Sequence, residues 1–129
     1  MKGPLATIFR YRRKVGRCPS QDFLKGCDKP MMKKFRGAFY ALTLMGSEYV
    51  NDQRFKPLTS KGKPLWEFKE HDHRLYCART VKGNRVEIVL LCGWSKDKEG
   101  KSKEEKHQVA TAISLYEEHL AESNKENRS

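Results

Sequence analysis

The sequence predicts an α+β fold, in which two N-terminal helices and one C-terminal helix pack on a small antiparallel sheet. Two observations support this class. Three strand-like runs follow one another at residues 65–69, 73–80 and 85–92, separated only by short polar connections that favour an antiparallel meander. Apolar residues recur at helical spacing at 28–46 and at 102–120. With a weakly alternating run at 5–12, the predicted order is strand, two helices, three strands and helix.

Capping residues set the bounds of the two N-terminal helices. Ser20 is a reasonable N-cap for a short helix that ends at Gly26. Asp28, followed by proline in the first turn, begins the second helix, and Gly46 can end it. The Met and Phe side chains of this second helix recur on one face. Such a stripe is more often a core face against a sheet than a cofactor pocket.

The three predicted strands differ in how they are buried. Residues 65–69 alternate, with Trp66 and Phe68 on one face and Leu65, Glu67 and Lys69 on the other. Residues 85–92 become continuously apolar, as expected of a strand that is covered on both faces. We nevertheless expect the helices on one face of the sheet, with the opposite face free.

The C-terminal helix begins at a capping box, in which Ser102 is followed by Glu105. Residues 122–129 lack apolar anchors, so we expect a flexible tail after a single domain at 1–121. No apolar run has the length of a membrane span, and no secretory segment follows Met1, so we expect a cytoplasmic protein.

Positive charge is the strongest compositional feature of the chain. The 27 basic and 16 acidic residues give a net charge of +11 in 129 residues. Residues 1–36 hold 11 Lys and Arg against 2 acids, whereas 109–129 hold 2 against 4. This asymmetry favours a polyanionic partner, either nucleic acid or an acidic protein segment. The four cysteines lack metal-ligand spacing, so we expect neither a metal nor another cofactor.

Several short motifs occur in an order that resembles the RelE/HigB toxin superfamily, and most closely its phage-derived, HigB-like branch. They are Gly16-x-x-Pro19-x-x-x-Phe23-Leu24, Leu65-Trp66-Glu67-Phe68-Lys69, Arg74-Leu75-Tyr76 and Leu90-Leu91-Cys92-Gly93-Trp94-Ser95-Lys96. The resemblance implies a RelE-like fold with an N-terminal helical hairpin. It further implies the toxin of a type II toxin–antitoxin system, a metal-independent endoribonuclease that cuts mRNA on the translating ribosome. Its partners would be mRNA, ribosomal RNA and a cognate antitoxin.

The chain departs from the family pattern at several positions. Cys92 stands where histidine is frequent, Lys69 where arginine is usual, and Lys96-Asp97 where paired cations are frequent. Gly100-Lys101-Ser102 replaces a Lys-Thr-Pro-like segment.

The resemblance and the strand ends together nominate the site residues. The predicted catalytic residues are Lys69, Arg74, Lys96 and His73. The predicted RNA-binding residues are Lys61, Lys63, Trp94, Lys98 and Lys101. Three cations would stabilise a phosphorane, and histidine, which titrates near neutral pH, would transfer protons. We expect both Arg74 and Lys96 to be exposed.

Each assignment has a plainer alternative. The cations could be solvated on an open sheet face, His71 and His73 could be surface residues, and Trp94 could pack at the sheet rim. Glu67 could be a base or could only pair with a lysine. For the whole protein, the alternatives are a non-catalytic nucleic-acid-binding module on the toxin fold and a subunit that holds an acidic partner.

Overall fold

The computed structural model describes residues 1–51, 53–58, 62–96 and 101–128, with the side chains of the last helix described at 103–123. Its helices and strands, in chain order, are β1 Ala6–Arg10, α1 Pro19–Gly26, α2 Lys29–Met45, β2 Phe55–Pro57, β3 Leu65–Glu70, β4 His73–Lys82, β5 Arg85–Ser95 and α3 Lys101–Arg128. A short 3₁₀ turn at Gly46–Glu48 follows α2. The α+β class is as predicted.

The five strands form one sheet in the order β1-β5-β4-β3-β2. The predicted antiparallel meander of β3, β4 and β5 is confirmed. The sheet as a whole is mixed, because β1 pairs with β5 in parallel, so the prediction of a wholly antiparallel sheet is wrong. A short hairpin connection forces antiparallel pairing, but β1 reaches β5 only through most of the chain, so no local signal set its direction.

The sequence did not predict β2. This strand has only three residues, too few to show a period of two, and it is recognised by its pairing with β3.

Helices cover both faces of the sheet, so the prediction of a free face is wrong. On one face, Phe35 and Phe39 of α2 pack in a core with Phe68 of β3. On the other face, Ala112 and Leu115 of α3 pack in a second core. The continuous apolar run of β5 requires this arrangement, since both faces of that strand must be removed from water.

The two N-terminal helices begin and end at identifiable residues. The predicted cap of α2 is confirmed, because Asp28 accepts a hydrogen bond from the Met31 N–H at 2.8 Å. Gly46 ends α2 with a φ of 62°, which glycine adopts without strain. Ser20 is not the cap of α1: the helix begins at Pro19, and Ser20 is buried inside its first turn. Proline favours this first position because it has no N–H to leave unpaired.

A close contact between two of the motifs fixes α1 on the sheet. A Cβ atom at Gly93 of β5 would lie 2.4 Å from Cδ2 of Phe23 of α1. Glycine at this position therefore allows the Phe23 ring to lie directly on the strand backbone.

The carboxylate of Glu118 on α3 binds two side chains of the segment that follows β1. The Tyr11 hydroxyl donates to Glu118 at 2.8 Å, and the Arg13 guanidinium binds the same group at 3.0 Å. The backbone of α3 is helical through the segment that we predicted to be a flexible tail, and the domain boundary at residue 121 stays a prediction. Ser102, the predicted cap, lies outside the described side chains. No helix within the described residues is long and apolar enough to cross a membrane.

Candidate active site

A cluster of polar side chains lies on the α3 face of the sheet, where β3, β4 and β5 run side by side. In the strand register, Lys69 lies opposite Arg74, and Glu67 lies opposite Tyr76. Arg74 in turn lies opposite Trp94. Residues that are directly opposite in antiparallel strands project to the same face. These five residues, with Lys96 just beyond β5, are called the polar cluster below.

Arg74 is the most strongly held cation of the cluster. Its side chain is only 7% exposed, so the prediction of an exposed arginine is wrong. The Nη1 atom donates to the carbonyl oxygens of His71 at 2.7 Å and His73 at 3.0 Å. These carbonyls belong to the β3–β4 turn, where His71 has a φ of 51°. The guanidinium therefore fixes the turn while keeping its charge inside the cluster.

Lys69 and Lys96 complete the set of three predicted cations. Lys69 is half-buried and forms no ion pair with any residue that the structure describes. The Lys96 Nζ lies 3.1 Å from Glu105 of α3, and its backbone N–H donates to the Asp72 carbonyl at 2.7 Å. The three cations thus come from the ends of three adjacent strands, as the sequence predicted.

Glu67 is a buried carboxyl group among these cations. It is 4% exposed, and its Oε1 lies 3.9 Å from the Nζ of Lys56 on β2. Its Oε2 has no hydrogen-bond partner among the described residues. Burial raises the pKa of Glu67 above its ordinary value, although the positive charges of Lys56 and Arg74 oppose that increase. The carboxyl therefore holds a proton more readily than an exposed glutamate does.

Tyr76 and Trp94 form the neutral part of the cluster. The Trp94 indole N–H donates to the Tyr76 hydroxyl at 2.8 Å, and both side chains are buried. Burial raises the pKa of Tyr76 to about 12. Because Trp94 is buried, its role in this structure is packing at the end of the sheet. It could stack on an RNA base only if it became exposed.

The structure does not bring His73 together with the predicted cations. His73 lies on the opposite face of the sheet, with its ring centroid 5.9 Å from that of Phe23. Successive residues of a strand point to opposite faces, so Arg74 and its neighbour His73 cannot both face α3. His71 also lies elsewhere: it is in the β3–β4 turn, and its Nε2 contacts the Lys34 Nζ of α2.

Only part of the predicted RNA-binding set can be placed. The Lys63 Nζ lies 3.2 Å from the carboxylate of Glu117 on α3. Lys61 and Lys98 lie outside the described residues, and so does the side chain of Lys101. Among the described residues, no group of three or more His, Cys, Asp or Glu side chains is arranged to hold a metal ion.

Two residues that contact the polar cluster, Lys56 and Glu105, were not among the predicted site residues. Lys56 enters through the pairing of β2 with β3, and Glu105 through the packing of α3 on the sheet. Neither contact has a local sequence signal, because both are decided by which elements become neighbours.

Comparison with known proteins finds similarity at the level of structure only. No family model matches the chain, and no curated protein matches it. Among solved structures, the chain is similar to the YoeB/ParE toxin from Agrobacterium tumefaciens, at 12% sequence identity and a TM-score of 0.49. The match covers 73% of this chain and 100% of that chain. The case for a function therefore depends on the residues and on their geometry.

Proposed function

We propose that the protein is the toxin of a type II toxin–antitoxin system and acts as a metal-independent endoribonuclease on mRNA in the translating ribosome. The observation that carries the proposal is the convergence of Lys69, Arg74 and Lys96 beside the buried carboxyl of Glu67. The motif resemblance and the net charge of +11 support it. The proposal places the protein in the cytoplasm with a cognate antitoxin, and membership of the HigB-like branch stays a prediction.

In this proposal the RNA supplies its own nucleophile. The 2′-hydroxyl loses its proton, its oxygen bonds to the adjacent phosphorus, and the bond from phosphorus to the 5′-oxygen breaks. The products are a 2′,3′-cyclic phosphate and a 5′-hydroxyl, and the departing 5′-oxygen takes up one proton. Lys69, Arg74 and Lys96 stabilise the negative charge that develops on the phosphorane.

Glu67 replaces His73 as the proposed proton acceptor. It lies on the same sheet face as the three cations, whereas His73 lies on the other face. Its raised pKa makes it a stronger base than an ordinary carboxylate, which suits proton abstraction closer to neutral pH. An ammonium group of Lys69 or Lys96, or a water molecule, can supply the proton to the leaving oxygen.

Helix α3 determines access to this site. Glu105 forms an ion pair with Lys96, and its negative charge lies close enough to Glu67 to raise the pKa of Glu67 further. An RNA phosphate that reaches the cluster would therefore compete with Glu105 for Lys96, and the N-terminal end of α3 would have to shift.

The proposal is tested by single-turnover cleavage of mRNA in a saturating ribosome complex. Glu67→Gln removes the proton acceptor and keeps the shape, and it should lower the rate by about 10²–10⁴-fold, the usual contribution of a general base. The matched control is Glu104→Gln, an exposed carboxylate on α3. Wild-type cleavage by the Glu67 variant would refute the role of Glu67, and an absence of cleavage by the wild-type protein would refute the enzyme proposal.

A non-catalytic nucleic-acid-binding function is the second candidate. The burial of Glu67, Arg74 and Trp94 favours it, because these groups are not open to a substrate in this structure. This alternative predicts RNA binding by the wild-type protein without cleavage and without growth arrest on expression.

A further inference from the structure

A second concentration of positive charge lies on α1, α2 and the end of β1, on the other side of the sheet from the polar cluster. Two adjoining depressions of about 390 and 600 Å³ share the side chains of Leu24, Lys25, Met32 and Arg36. Five exposed cations line them, namely Arg10, Lys25, Lys29, Lys33 and Arg36. These five residues are called the α1–α2 basic surface below.

The charge of this surface is not compensated within the described structure. No acidic residue lines either depression. The five ion pairs seen among the described residues all involve other cations. The nearest carboxylates along the chain, Asp22 and Asp28, line neither depression, and Asp28 accepts the N–H of Met31 as the cap of α2. The surface therefore presents five positive charges to a partner.

The spacing of the cations is unfavourable for the isolated helix. Lys29, Lys33 and Arg36 are separated by four and then three residues, so they lie along one stripe of α2. Like charges at these spacings destabilise a helix by about 0.2–0.5 kcal/mol per pair. A polyanion laid along the stripe would remove this repulsion.

The composition of the surface favours phosphate over protein as the partner. Protein interfaces are depleted in lysine and enriched in aromatic side chains, and their cores are apolar. Here three of the five cations are lysines, and the apolar side chains common to both depressions are the buried Leu24 and the half-buried Met32. Met1, Ile8, Phe39 and Leu90 add apolar lining to the first depression alone. Lysine and arginine that face solvent are the groups that neutralise nucleic-acid phosphates.

We infer that the α1–α2 basic surface binds the sugar–phosphate backbone of RNA and forms a contact region separate from the polar cluster. The inference rests on the proposed function only for the choice of RNA as the polyanion. Binding here would hold RNA, or an RNA-containing particle, against the helices while the opposite sheet face is left for chemistry.

The test is the affinity of the full chain for a single-stranded RNA that carries 2′-O-methyl groups and so cannot be cleaved. Fluorescence anisotropy is measured over a series of salt concentrations for the wild type and for Lys29→Gln/Lys33→Gln. Loss of two phosphate contacts should reduce the slope of log affinity against log salt by about 1.4, since each contact with a single strand contributes about 0.7. The affinity itself should fall at least about tenfold at low salt.

The control removes the same charge from a different surface. Lys103→Gln/Lys106→Gln alters two exposed lysines of α3 and should leave the salt slope nearly unchanged. An equal loss in both double variants would overturn the inference in favour of a general effect of net charge. Wild-type protein that fails to bind RNA, or that binds polyglutamate more tightly through Lys29 and Lys33, would also overturn it.

Failure of the proposed enzyme and failure of this surface give different results. The oligonucleotide cannot be cut, so binding does not depend on catalysis. If Glu67→Gln cleaves normally while Lys29→Gln/Lys33→Gln binds weakly, the catalytic proposal fails and the surface stands. If only the Glu67 variant is impaired, the reverse holds.

Discussion

Replacing Arg74 with alanine should lower the stability of the fold, and this loss must be measured before any change in cleavage is interpreted. The substitution removes both hydrogen bonds from Nη1 to the turn carbonyls of His71 and His73. A hydrogen bond to a charged group contributes about 1.5–3 kcal/mol. Both bonds share one nitrogen, and water can reach turn carbonyls once the side chain is removed, so the lower end applies to each. We expect a loss of about 3 kcal/mol in the free energy of unfolding.

Lys96→Ala is the matched comparison for that loss. It removes a partly exposed ion pair with Glu105, which typically contributes about 0–1 kcal/mol. Arg74→Lys keeps the positive charge but lacks the planar fork, so it should recover only part of the stability lost in the alanine variant. In order of decreasing stability, the proteins should therefore be the wild type, Lys96→Ala, Arg74→Lys and Arg74→Ala.

Urea unfolding followed by tryptophan fluorescence measures these differences. With a slope of about 1–3 kcal/mol per molar urea, a loss of 3 kcal/mol lowers the midpoint by about 1–3 M. Arg74→Ala with a wild-type midpoint would refute the view that this arginine fixes the β3–β4 turn. Cleavage is then compared only where each variant is fully folded. A stable Arg74→Lys variant that cleaves slowly would assign the arginine to charge stabilisation as well as to structure.

Two further predictions concern packing and pH. Gly93→Ala should lower the free energy of unfolding by about 1–3 kcal/mol, because its Cβ would lie 2.4 Å from Phe23. Adding Phe23→Leu to this variant should recover part of the loss in urea unfolding. A wild-type midpoint for Gly93→Ala would contradict the contact. Glu67→Gln should be more stable than the wild type near neutral pH. Burial raises the pKa of Glu67 in the folded protein above its value in the unfolded chain. The wild type therefore loses stability as the pH rises from the unfolded pKa through the folded pKa, whereas glutamine does not titrate. Thermal unfolding measured against pH should show the stability difference between Glu67→Gln and the wild type shrinking as the pH falls below the pKa of the unfolded carboxyl group. A difference that stays constant with pH would contradict the raised pKa of Glu67.

The elements that the sequence predicted well are those with local signals. The β3–β4–β5 meander follows from alternating or apolar runs joined by short turns, and α2 follows from its cap and its apolar spacing. β2 is too short to show a period, and β1 has no turn to define the direction of its pairing. The error at Ser20 has a different origin, because Pro19 can begin a helix without a side-chain cap, two residues before the start that a cap at Ser20 predicts.

For the candidate site, the sequence by itself determined which residues of a single strand share a sheet face. The period of two places Glu67 and Lys69 together on β3, and it separates Arg74 from His73 on β4. That separation was available from the sequence, but the prediction of His73 as a catalytic partner did not use it.

Only the tertiary structure decided what covers each face. Local periodicity records that a strand is buried, but not whether a distant helix or strand buries it. The packing of α3 brings Glu105 to Lys96, and the pairing of β2 brings Lys56 to Glu67. Arg74 is buried because the β3–β4 turn folds its carbonyls back onto the guanidinium. These contacts convert predicted surface cations into a partly buried cluster, because burial depends on elements that are far apart along the chain.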